Sequence, residues 1–217
     1  MIEYESDIVP FFSKAIYSKV TNIATEEIVP LLDSFDYRKS GMQDITDLND
    51  TNNLSLSSIS NKVLENEKLK PLKERLMKEF YLYAEGEMKY INKFQITTSW
   101  LTKTHKGETS NLHRHHNSFI SGLLYLTADD DCGDIIFQQV GDMNSFHLQV
   151  SEHNLFNAKS WRFKPKNGLL IFFPSEIHHK IAKSNSDLVR RSLAFNLMPI
   201  GLLGDVESDS TVTVDSW

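Results

Sequence analysis

The sequence predicts a mainly β protein, an antiparallel sandwich or barrel with helices gathered ahead of the strands. Two observations carry this. From about Lys93 onward the chain is a series of short β-rich runs with turn signals between them and no intervening helical pattern. Before that point the apolar residues recur at steps of three and four, so the helices precede the strands and are expected to pack on one sheet.

Taken in order, "ATEEIVPLLDSF" (24–35) reads as a short helix that Thr25 can cap and Pro30 can kink. Residues 36–61 are rich in Asp, Asn, Ser and Thr, which bond nearby backbone and favour turns, and are read as a surface loop. Leu69, Leu72, Leu76, Phe80 and Tyr83 form one apolar face of a helix over about 67–90, a face that packs and carries no chemistry. The strand candidates are 94–101, 118–126, 134–140, 147–150, 160–163, 168–174 and 190–198, with "IHHKI" (177–181) opening a further strand. "KGETSN", "ADDDCG", "GDMNS", "KPKNG" and "KSNSD" separate them. The expected organisation is an extension over 1–92 integrated with the core, a β core over 93–200, and an acidic tail over 201–217 in which "TVTV" could pair as a strand.

Composition narrows the function classes. Hydrophobic residues make up 40% and charged residues 24%, as in ordinary globular chains. No apolar run reaches the length of a membrane span, and the acidic start is unlike a signal peptide. A single cysteine, Cys132, cannot form an internal disulfide, so a reducing cytoplasm is the expected location. The net charge of −6 disfavours a general grip on nucleic-acid phosphates and leaves only a local basic groove open. "KSWRFKPK" (159–166) interleaves aromatic and basic residues, yet reads first as a solvated hairpin edge. Membrane partners are not expected; a homodimer is left open.

The chemistry concentrates in the histidines. In "NLHRHHNSFISGLLYL" (111–126) an extended backbone would send His113 and His115 to one side and His116 to the other. A strand cannot wrap an ion, so a third ligand must come from elsewhere. In "GLLIFFPSEIHHKI" (168–181) His179 shares parity with Ile177 and Ile181, which makes it the inward residue. Arg190 and Ser192 share a face further on, while Arg191 alternates away. An inward guanidinium is costly unless an anion meets it, and its planar fork matches a carboxylate. The alternative for Arg190 is a salt bridge to one of the chain's own acidic residues.

These motifs together resemble the Fe(II)/2-oxoglutarate-dependent oxygenases, in a subgroup with a His-x-His, His and Arg-x-Ser pattern. The resemblance rests on Ser99-Trp100, His113 to Ser118, Ser121 to Tyr125, Phe173 to His179 and Arg190 to Asn196, in that order over about 98–197. It implies a double-stranded β-helix (jelly roll) with an N-terminal helical extension. It implies that His113, His115 and His179 hold iron, and that Arg190 with Ser192 and Tyr125 binds the distal carboxylate of 2-oxoglutarate. The implied activity is dioxygen-dependent decarboxylation of 2-oxoglutarate to succinate and CO2 coupled to hydroxylation of a substrate C–H bond, the substrate itself being unknown. The sequence departs from the wider superfamily at one slot: His115 stands where a carboxylate completes the usual two-histidine set, and three histidines also suit zinc. A second pairing, His115 with Asn117, is also weighed. Two other classes share these residues: a cupin-like metal enzyme independent of 2-oxoglutarate, and a non-enzymatic jelly-roll binding or structural module.

Overall fold

A computed structural model describes residues 13–23, 25–40, 53–141, 148–205 and 209–216. Its strands are β1 (Tyr17–Val20), β2 (Tyr37–Lys39), β3 (Leu56–Ser58), β4 (Lys93–Thr104), β5 (Ile120–Thr127), β6 (Ile135–Gln138), β7 (Ser160–Phe163), β8 (Leu169–Pro174), β9 (His178–Ile181), β10 (Arg190–Leu203) and β11 (Val212–Val214). The helices are α1 (Thr25–Leu32) and α2 (Lys70–Tyr81). The major sheet runs β1-β8-β5-β10-β4-β3-β2, with β11 attached to β10, and the minor sheet runs β7-β6-β9. Every pair of strands is antiparallel. No helix among the described residues is long and apolar enough to cross a membrane.

The central strands are apolar on both sides because both faces of the major sheet are covered. On the outer face, Leu124, Leu170, Phe172, Leu193, Phe195 and Leu197 meet Leu72, Leu76, Phe80 and Tyr83 of the helical segment. Phe80 packs edge-on against Phe94 and Phe172, and Tyr83 stacks on Phe172. The inner face sends Leu123, Tyr125, Ile171, Phe173 and Ala194 toward Ile135 and Phe137 of the minor sheet. Gly122 has a packing reason: a Cβ there would overlap the ring of Phe195 on the neighbouring strand.

Several elements differ from the expectation. The helix expected over 67–90 is three successive pieces, a 3₁₀ turn at Glu67–Leu69, α2, and a widened π turn over Leu82–Glu87. The segment read as a loop at 36–61 supplies β2 and β3, which extend the major sheet beyond β4. β1, on the opposite edge, had no sequence signal. Residues 148–150 of the expected strand at 147–150 are irregular, and His147 lies outside the described residues. The tail strand does form, as β11 paired to the end of β10.

Candidate metal and cosubstrate site

The three histidines are assembled by backbone pairing. His113 and His179 exchange both main-chain bonds, His113 N–H to His179 O at 3.0 Å and His179 N–H to His113 O at 2.8 Å. The His-x-His segment therefore lies against β9 as a short bridge and does not begin β5. His115 N–H is tied to Ser175 O, just beyond β8. The chain then turns through Asn117, whose φ of 53° lies in the left-handed region that asparagine tolerates, and enters β5.

Ring centroids lie 4.3 Å apart for His113–His179, 5.0 Å for His115–His179 and 5.4 Å for His113–His115. One ligand atom from each falls within 4.8 Å of the others. Each Nδ1 is already engaged: His113 with Asn111 O at 2.8 Å and His179 with Ile177 O at 3.0 Å. His115 Nδ1 sits between Asn196 Oδ1 at 2.8 Å and Ser121 Oγ at 2.7 Å. A carbonyl oxygen only accepts, so each Nδ1 carries the proton and each Nε2 is left with its lone pair for a metal.

Burial holds these rings neutral. It pulls His179 down to about 3, helped by the charges of His113 and His115, and His115 down to about 4. His113 keeps a solvent-exposed edge, yet the crowding of its neighbours lowers it too. Asn196 is itself anchored, its Nδ2 donating to Thr98 Oγ1 at 3.0 Å, and Ser121 donates to the same Oδ1. Trp100 approaches His115 edge-on at 5.3 Å, and Phe173 approaches His179 at 4.8 Å.

Arg190 opens onto the same cavity, a space of about 130 Å³ also lined by Trp100, Phe173, Ser192 and the three histidines. Its side chain is 2% exposed. Nη2 donates to Thr104 Oγ1 at 2.6 Å, but Nε and Nη1 have no partner. No carboxylate of the described residues lies in ion-pair range of it, so the salt-bridge alternative is not what the fold builds. Burial depresses its pKa, offset in part by Tyr125, Cys132 and Glu108. The fully buried Tyr125 hydroxyl also lacks a partner; desolvation raises it to about 12, which keeps it a neutral donor. The Arg190 guanidinium lies 5.8 Å from the Tyr125 ring. Ser192 faces Thr102 across the β10–β4 pairing, hydroxyl to hydroxyl at 2.6 Å. Orphaned donors in a cavity beside three neutral imidazoles suit a small dianion that also chelates a metal.

The expected residues thus converge: His113, His115 and His179 as one cluster, Arg190 and Ser192 in the same cavity, and Tyr125 behind Arg190. Arg191 points the other way, toward Asp33 at 3.5 Å. Asn117 is spent on the turn and does not line the cavity, so the pairing of His115 with Asn117 is not formed. Sequence reasoning left Asn196, Ser121, Ser175 and Thr104 without roles. Asn196 and Ser121 were visible as polar residues inside apolar runs, and buried polar groups need partners. Thr104 had no comparable signal.

Two antiparallel sheets enclosing a histidine cluster and a buried arginine define a jelly-roll protein with a candidate metal site. Residues 98–196, a little under half of the chain, match the family model described as "Putative 2OG-Fe(II) oxygenase". Over that stretch the chain is similar to the 2OG-Fe(II) oxygenases. No curated protein matches it by sequence. Among solved structures, an oxidoreductase of the 2OG-Fe(II) oxygenase family from Burkholderia pseudomallei is similar at 11% identity, covering 84% of this chain and 83% of that one, with a TM-score of 0.57. HygX from Streptomyces hygroscopicus, with nickel, 2-oxoglutarate and hygromycin B bound, is similar at 11% identity, 86% and 83% coverage and a TM-score of 0.59. A Pseudomonas putida prolyl-4-hydroxylase is similar at 13% identity, 85% and 92% coverage and a TM-score of 0.58. At such identities the likeness is one of fold.

Proposed function

We propose that this chain is an Fe(II)- and 2-oxoglutarate-dependent hydroxylase, with His113, His115 and His179 as metal ligands and Arg190, Ser192 and Tyr125 as the cosubstrate-carboxylate site. The observation that carries the reading is the pairing, in one cavity, of three converging neutral imidazoles with a buried guanidinium whose Nε and Nη1 lack partners. Iron bound there supplies the oxygen-activating chemistry that couples loss of CO2 from 2-oxoglutarate to hydroxylation of a substrate C–H bond.

The protein's own part is positioning and exclusion of water. The Nδ1 bonds fix each ring, so the three Nε2 atoms are preorganised rather than recruited. Arg190 and Tyr125 hold donors without partners that the distal carboxylate would satisfy, and Ser192, already bonded to Thr102, adds a hydroxyl beside them. Trp100 and Phe173 line the cavity against the histidines and give it apolar walls. His115 brings no negative charge, so the cluster leaves more positive charge on a bound metal than a set containing a carboxylate. Asn196 keeps His115 in the neutral Nδ1–H form, which fits that assignment.

The buried, unpaired Cys132 suits a reducing compartment, and we place the enzyme in the cytoplasm. The test is succinate formation from 2-oxoglutarate. It should require Fe(II) and dioxygen and be lost in His179→Ala and Arg190→Ala. Turnover that proceeds without 2-oxoglutarate would instead favour a cupin-like enzyme in which Arg190 binds the substrate.

A further inference from the structure

We propose that Thr104 and Ser55 are positioning residues for Arg190, so that the N-terminal extension helps build the cosubstrate-carboxylate site. This inference rests on the assignment of Arg190 to 2-oxoglutarate.

The argument follows the protons. Arginine only donates, so Arg190 Nη2 gives its hydrogen to Thr104 Oγ1 at 2.6 Å. Thr104 Oγ1 also lies 2.8 Å from Ser55 Oγ. With the threonine oxygen accepting from the guanidinium, its own proton is directed to Ser55. Ser55 Oγ in turn donates to Thr109 O at 3.2 Å. The chain Arg190, Thr104, Ser55, Thr109 carbonyl therefore has one consistent direction and ends on an acceptor that cannot reverse it. Arg190, Thr104 and Ser55 are all buried, so water does not compete for these bonds.

The relay crosses from the core into the extension. Arg190 opens β10 and Thr104 closes β4, and the two are direct partners across that pairing. Ser55 belongs to the residues just before β3, the strand that adds the extension to the sheet through Leu56–Lys103 and Ser57–Thr102. Ser55 is anchored there a second time, its N–H donating to Thr109 O, and Leu54 bridges to Thr109.

Clamping one nitrogen sets the rotation of a planar guanidinium. Nε and Nη1 are then held free for a carboxylate instead of turning to find other acceptors. Ser192, the other cavity hydroxyl on β10, is fixed in the same manner by Thr102 two residues along β4. Thr104 and Ser55 thus act through Arg190. Ser55 also lines the cavity, but its hydroxyl is committed to the relay.

The experiment measures 2-oxoglutarate binding to the full chain loaded with Fe(II), under anaerobic conditions, by calorimetry. Thr104→Val keeps the shape and removes the hydroxyl. It is expected to weaken 2-oxoglutarate about tenfold while Fe(II) affinity, measured by chelator competition, stays unchanged. Thr104→Ser restores the hydroxyl and should return affinity to within about twofold of the parent. Ser55→Ala should fall between the two. A Thr104→Val protein that binds 2-oxoglutarate as well as the parent, or a Thr104→Ser protein as weak as Thr104→Val, overturns the positioning role and leaves the assignment of Arg190 intact. Failure of the parent itself to bind 2-oxoglutarate overturns that assignment and this inference with it.

Discussion

Arg190→Met should stabilise the ligand-free protein while abolishing its response to 2-oxoglutarate. The parent buries a guanidinium at 2% exposure with one hydrogen bond and no counter-charge among the described residues. Replacing buried ion pairs with apolar side chains of similar size gains about 1–4 kcal/mol, and a buried charge without its partner lies toward the upper part of that range. Against this, the Thr104 hydroxyl loses its donor, at about 1 kcal/mol. The net expectation is a gain of about 2 kcal/mol. For a chain of this size that raises Tm by about 4–8 °C. The assay is thermal denaturation under anaerobic conditions with Fe(II), with and without 2-oxoglutarate. At 2-oxoglutarate a hundredfold above Kd the parent should gain about 2.7 kcal/mol, and Arg190→Met should gain nothing. A ligand-free Arg190→Met protein less stable than the parent would refute the reasoning, because it would mean that an internal anion already meets Arg190.

Other outcomes test other parts of the site. Asn196→Ala removes the acceptor that orients His115, and metal affinity should drop about 10–100-fold in chelator competition while the far-UV spectrum is unchanged. Metal uptake should depend little on pH between 8 and 6. Three ordinary imidazoles of pKa about 6.5 would lose roughly 70-fold in affinity over that range through protonation. Here His115 at about 4 and His179 at about 3 are already neutral at pH 6, and His113 is lowered as well, so the loss read by zinc competition should stay below about fivefold. Gly122→Ala forces a Cβ into the ring of Phe195 and should cost about 1–3 kcal/mol in urea denaturation.

The sequence made the functional centre readable for reasons that the fold partly revises. β5 and β8 were legible as unbroken apolar runs because helix and minor sheet cover the two faces of the major sheet. His113 and His115 do point together. The cause is a two-bond bridge to His179, not continuity with β5, since the turn at Asn117 interrupts the strand. Tyr125 reaches the inner face separately, from β5. Arg190, Arg191 and Ser192 alternate as read, because the β10–β4 pairing is continuous through them although the β10–β5 register shifts between Arg191 and Ser192. β2 and β3 stayed hidden. They are three residues each, set in polar sequence, and they exist because β4 offers an edge to pair with. Local composition favours turns at such places, and tertiary pairing overrides it. Thr104 was unreadable for the same reason: its role depends on which residue the β10–β4 register places opposite it.

The central claim is that one cavity binds iron and 2-oxoglutarate together. It is tested most directly by anaerobic titration of the Fe(II)-loaded protein with 2-oxoglutarate, followed by visible absorption. A saturable charge-transfer band at one equivalent, absent in Arg190→Ala at the same concentration, is the predicted result. An iron-loaded protein that develops no band at any 2-oxoglutarate concentration would contradict the account.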